Sequence, residues 1–174
     1  LAAAGYAIVV THPVEVRDNL ALYRLLGGMF GKQDEAESLC RRFEAAYDAA
    51  RRSAQQSPRR RVLYLIWKDP WMTVARDTYV SRMLASVGLR TLPAASDRRY
   101  PTLELTDDVL RAVELVLFST EPFPFKERHL AEFRARHPPH ANKAAAIDAQ
   151  MVSWYGSRAI RGLAYLTEFA LART

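Results

Sequence analysis

The spacing of apolar positions changes several times along the chain, and each change marks an element. The run YAIVV at 6–10 is continuously apolar and rich in β-branched residues, which predicts a buried strand ended by Thr11-His12-Pro13. From Val14 to Phe30 the residues Val16, Leu20, Leu22, Tyr23, Leu25, Leu26 and Met29 return at helical spacing until Gly27, Gly28 and Gly31 break it. A second helix is expected over 34–54. Acidic Asp34, Glu35 and Glu37 open it and arginines close it, the order that the helix dipole favours. The polar stretch QQSPRR at 55–60 is the clearest boundary. Beyond it strands at 61–67, 89–92, 114–119 and 144–148 alternate with helices near 74–87, 106–112, 125–136 and 156–172. This alternation predicts an α/β fold, with a small, mainly parallel sheet, helices on both faces and a long helix before it. Three segments follow: 1–31, 32–57 and 58–174.

Sheets of this kind bind ligands at the carboxyl ends of their strands. Strand 61–67 runs out into WKDPW, the next crossover carries Tyr100, strand 114–119 opens into STEPFPF, and strand 144–148 into DAQMVSWYG. These loops hold all three tryptophans of the chain, Trp67, Trp71 and Trp154, together with Tyr100, Phe123, Phe125 and Tyr155. Any one of these aromatics could simply pack beneath its loop. Several loops converging with aromatics point instead to a large, flat, partly apolar ligand.

Composition narrows the field further. No apolar run approaches the roughly 20 residues of a membrane-spanning helix, and Leu1 opens no signal-peptide pattern. A single cysteine, Cys40, excludes an intrachain disulfide and a cysteine-based metal cluster, and its helical apolar position fits a small buried residue. The net charge of +6 raises nucleic acid as a partner. The basic residues come as short scattered groups without a recognition motif, so a solvated face, not nucleic acid, is expected.

Catalytic signatures are absent from the sequence: no GxSxG, P-loop, GxGxxG, HExxH or CxxC occurs. Nothing in their spacing joins Ser119, His129 and Asp148 into a triad. His129 reads as a solvated helix residue. His12, His137 and His140 stand beside prolines without metal-ligand spacing, so neither an enzyme nor a metal site is expected. Glu121 and Asp148, at strand ends, are the carboxylates best placed to matter. Each either caps the next turn or meets a ligand.

The ordered series ALYRLLGGMFGKQDEAESL, PWMTVARDTYVSRMLASVG, YPTLELTDDVL, LVLFSTEPFPFKERHLAEF and IDAQMVSWYGSRAIRGLAYL resembles the helical-backbone periplasmic binding proteins. That family serves ABC importers of cobalamin, haem and iron–siderophores, and the likeness is greatest to its cobalamin-binding members. The resemblance implies two lobes joined by one long helix, with ligand in the cleft between them. On this reading 32–57 is the linking helix, 58–174 the C-terminal lobe, and 1–31 the tail of an N-terminal lobe most of which is missing. It implies Trp67 and Tyr100 as aromatics against the ligand and Asp148 as an acid near it; the reading of the strand-end loops adds Trp71, Glu121, Phe123, Trp154 and Tyr155 to the expected cleft. It further implies a permease partner docked through Asp107, with Glu104 the competing position, export to the periplasm, and contact with the membrane only through the transporter. The expected cargo is cobalamin or a related corrinoid; haem and a ferric siderophore are the alternatives, the last kept open by Arg76, Arg98 and Arg99.

Overall fold

The computed structural model describes residues 5–173. Helices α1 (Asp18–Phe30) and α2 (Gln33–Gln56) pack on each other and lead into strand β1 (Arg60–Trp67). The turn between the helices depends on Gly31, whose φ of 64° is left-handed, and on Gly27, where the α2 residue Ala36 and the Lys32 carbonyl leave no room for a side chain. The remaining elements are β2 (Met72–Thr73), α3 (Tyr79–Ser86), β3 (Leu89–Thr91), α4 (Asp107–Arg111), β4 (Leu115–Ser119), α5 (Glu127–Arg136), a 3₁₀ turn at Pro138–Lys143, β5 (Ala144–Ile147), α6 (Ala149–Ser153) and α7 (Arg158–Leu171).

Strand β1 is the centre of the sheet. It pairs in parallel with β4, β4 in turn with β5, and the first residues of β1 pair in parallel with β3. Only β2 runs antiparallel, against the last residues of β1. Burial on both faces explains the apolar run Leu115 to Phe118 of β4, every residue of which, the closing Ser119 included, is buried. On one face Val62, Tyr64, Leu115 and Leu117 join Phe43 of α2, Met83 and Leu84 of α3, and Leu163 and Leu166 of α7 in a single core. On the other face Leu63, Leu65, Val116 and Phe118 meet Leu110, Phe125, Leu130 and Phe133. The α/β architecture is the one that the sequence pattern predicts.

Three local expectations fail. Residues 6–10 are not a buried strand: the segment has no ladder partner among the described residues, and Tyr6, Ile8, Val9 and Val10 are exposed. Apolar β-branched residues favour extended backbone, but a strand exists only where a neighbour takes its hydrogen bonds. The helix expected from 74 begins at Tyr79 instead, because Met72 and Thr73 are drawn into β2 and Thr78 caps the helix by accepting the Ser81 N–H. The segment before α7 holds a further short helix, α6, capped by Asp148.

Candidate functional site

Between residues 31 and 170, all of them described, the exposed large hydrophobic residues are Trp67 (41%), Tyr100 (50%), Trp154 (47%) and Tyr155 (46%). Trp67 ends β1, and the other three stand in the connections that follow β3 and β5. A concave pocket of about 440 Å³ opens there, walled by Tyr64, Ile66, Trp67, Met72, Tyr100 and Glu121, among others.

Local structure explains how distant residues reach this pocket. The chain turns back after Trp67 through a tight connection in which Asp69 has a left-handed φ of 60° and the Asp69–Pro70 bond is cis. That turn lays β2 beside β1, and the Thr73 hydroxyl donates to the Tyr64 carbonyl at 2.8 Å. The Tyr100 segment then adds to the outer side of β2. The Thr73 N–H donates to the Pro101 carbonyl at 3.0 Å, the Ala75 N–H to the Arg99 carbonyl at 2.9 Å, and Met72 bridges Thr102 antiparallel. Tyr100 is thereby held at the pocket edge.

Glu121 supplies the charge of the pocket. Its carboxylate accepts from Gln150 Nε2 at 3.0 Å and from Trp154 Nε1 at 3.2 Å. Arg158 supports both donors: it donates to Gln150 Oε1 at 3.0 Å and lies 4.9 Å from the centre of the Trp154 ring. An ionised carboxylate has room for about four hydrogen bonds, so acceptor capacity remains for a ligand. The Tyr64 hydroxyl, buried in the pocket wall beside Ser119, makes no well-formed hydrogen bond.

Of the eight ligand residues expected from the sequence, Trp67, Tyr100 and Glu121 line this pocket, and Trp154 joins them through its bond to Glu121. Phe123 stands behind Trp67 in an edge contact, ring centres 5.6 Å apart. Trp71 does not line the pocket. It stacks on Phe125 at 6.0 Å and meets Phe118 edge-on in the core of the opposite sheet face. Asp148 is occupied as a cap, its Oδ1 accepting the Gln150 N–H at 2.9 Å. Tyr155 lies against Tyr79, 6.0 Å between ring centres, away from the pocket lining. Arg76 lines a different depression, and Arg99 is engaged with Asp77 and His12. The sequence reading missed Tyr64, Gln150 and Arg158. Strand alternation could have found the first, since Tyr64 and Ile66 share a side of β1.

The docking candidates also differ from each other. Asp107 is tied to His140 Nε2 at 2.7 Å and to Arg111 at 2.8 Å, and the hydrogen bond from His140 holds its carboxyl below the usual range. Glu104 is exposed and forms no ion pair among the described residues.

Among the described residues no cluster of histidine, cysteine and carboxylate side chains could hold a metal ion, and no helix is long and apolar enough to cross a membrane. No curated protein matches the sequence. Solved structures do match the fold. The periplasmic vitamin B12 binding protein BtuF of Vibrio cholerae superposes with a TM-score of 0.80 at 15% identity, over 99% of this chain and 68% of that one. The periplasmic haem-binding protein BhuT in complex with two haems gives 0.80 at 20% identity over 99% and 69%. The periplasmic haem-binding protein RhuT from Roseiflexus sp. RS-1 gives 0.78 at 23% identity over 99% and 68%. At these identities the structural likeness establishes the fold, and this chain spans about two thirds of each relative. A family model for periplasmic binding proteins matches residues 2–147, which hold α1, α2, all five strands and most of the pocket wall: the chain belongs to the periplasmic binding protein family.

Proposed function

We propose that this chain supplies one side of the ligand cleft of a substrate-binding protein for an ABC importer, and that its cargo is cobalamin or a related corrinoid. Residues 58–174 act as the C-terminal lobe, 32–57 as the interlobe helix, and 1–31 as the end of the preceding lobe. The observation that carries this reading is the clustering of exposed aromatics, Trp67, Tyr100 and Trp154, around the Glu121 carboxylate. Flat apolar rings receive a planar macrocycle, and the remaining acceptor capacity of Glu121 suits the amide side chains around a corrin. The function is binding without chemistry, with delivery to a permease in the periplasm. Docking would fall to Glu104, whose carboxylate forms no ion pair among the described residues, ahead of Asp107, which His140 and Arg111 already hold.

Haem is the second reading. Two of the similar structures are named as haem-binding proteins, and the half-exposed Tyr100 phenol at the pocket edge could serve as an axial ligand to iron.

Titration of cyanocobalamin, haemin and a ferric siderophore, followed by calorimetry and tryptophan fluorescence, tests the choice. Saturable one-to-one cobalamin binding, weakened about tenfold by Trp67→Ala, is the expected result. Binding of haemin alone, lost in Tyr100→Phe, would move the cargo to haem. Silence with all three would remove the ligand role of the aromatic loops.

A further inference from the structure

A second depression, of about 810 Å³, lies on a different part of the molecule, where the start of α1, the later turns of α2, α3 and β3 meet. Six arginines line it, Arg17, Arg51, Arg59, Arg76, Arg82 and Arg90, against one glutamate, Glu15. In the sequence these residues are spread over more than seventy positions and read as scattered charge; the fold gathers them.

Two of the six are neutralised locally. Arg17 pairs with Glu44 at 3.3 Å and Arg82 with Glu15 at 3.2 Å. Arg51, Arg59, Arg76 and Arg90 form no carboxylate pair among the described residues, and Arg76 donates only to the Thr91 carbonyl at 3.3 Å. The guanidinium groups of Arg17 and Arg51 each lie 5.9 Å from the centre of the Tyr47 ring, which holds both on the same wall. Val16, Ala54 and Ala85 leave apolar surface between the charges.

Like charges in one concavity repel each other over distances comparable to the Debye length of about 10 Å at 0.1 M salt, so the arrangement favours a counter-charge. Guanidinium presents a planar fork of donors that matches phosphate and carboxylate oxygens. A lone carboxylate would answer one of four unpaired arginines, whereas linked phosphates deliver several charges within a few ångströms. We propose that this depression is a binding site for phosphate-bearing anions of two or more negative charges, supplied either as a soluble oligophosphate or as the headgroups of an anionic membrane surface.

Calorimetric titration of sodium tripolyphosphate into the chain at low ionic strength tests this. Saturable binding is expected, weakened at least tenfold in Arg51→Ala/Arg90→Ala with an unchanged thermal midpoint. Arg59→Ala, at an exposed position outside any helix, should give a smaller loss and serves if the double variant is unstable. Removing equal charge elsewhere, with Arg41→Ala/Arg161→Ala, should change affinity less than twofold. Sedimentation with vesicles of phosphatidylglycerol, against phosphatidylcholine, separates the sources. Capture by the anionic vesicles, lost in the double variant, assigns a headgroup; tripolyphosphate binding without capture assigns a soluble anion. Absence of saturable tripolyphosphate binding, or equal weakening by both double variants, would overturn the site. So would duplex DNA binding that tripolyphosphate fails to displace.

Discussion

Tyr64 buries a hydroxyl in the pocket wall without a well-formed hydrogen bond; its polar neighbour is Ser119, whose single O–H lies 2.7 Å from the carbonyls of both Leu65 and Glu121 and can serve one at a time. Burial accordingly pushes the Tyr64 phenol well above its ordinary value. An unsatisfied buried polar group costs about 1–3 kcal/mol, so Tyr64→Phe is expected to match or exceed the parent in urea-unfolding midpoint. A midpoint lowered by the equivalent of about 1 kcal/mol would show that the hydroxyl has a partner in the empty protein. His129 carries the opposite lesson. Its Nδ1 accepts the Lys126 N–H at 2.9 Å at the start of α5, and burial, assisted by the charge of Arg128, holds its pKa below the ordinary 6.5. His137 is lowered as well, again chiefly by burial. The unfolded chain therefore binds more protons just below pH 6.5, and stability rises with pH through that window. Asp107 and Glu132 are held low by their partners His140 and Lys68 and keep their charge there. The thermal midpoint should fall between pH 7.5 and pH 5, and His129→Gln should flatten part of that slope; a flat profile in the parent would contradict the assignment.

At the scale of elements, the crossing of α6 and α7 rests on one missing side chain. A methyl group on Gly162 would overlap the Met151 carbonyl oxygen, which belongs to a backbone that cannot rotate aside, and would press on Met83. Gly162→Ala should cost about 1–3 kcal/mol or more by overpacking, despite alanine's better helix propensity. Equilibrium denaturation measures this, and a stabilised variant would mean that the two helices separate easily. The same pair of helices shows what the sequence made legible. Helices α1, α2 and α7 and strands β1 and β4 are long enough, or apolar enough, for their period to be read directly. Strand β2 has two residues and α6 has five, too few for any period. Trp71 illustrates a related limit: sequence places it in a strand-end loop beside Trp67, but the sheet face it takes is decided by Phe118 and Phe125, distant in the chain. Glu121 was legible as a strand-end acid. Its donors Gln150 and Trp154 were not recognisable as a pair around it, since only β4–β5 pairing brings them there.

For the whole molecule, most of the exposed large apolar residues do not line the pocket. Tyr6, Ile8, Val9 and Val10 are exposed in the extended segment, as are Leu25, Leu26, Met29 and Phe30 on α1. Exposed apolar side chains in this number favour association, and the isolated chain is expected to self-associate with rising concentration. Sedimentation velocity should show a shift toward monomer in Met29→Lys/Phe30→Asp; a monomeric parent at high concentration would count against this. The sheet carries another large-scale feature. One edge of β1 is divided, its first residues paired with β3 and its last with β2, and between them the Thr73 hydroxyl answers the Tyr64 carbonyl. The parallel ladder β3–β1–β4–β5 is therefore complete without the hairpin, while the hairpin positions Met72 and, through its outer side, Tyr100. The stretch of pocket wall that Met72 and Tyr100 supply can thus be rewritten as an interchangeable cassette, leaving the parallel ladder intact.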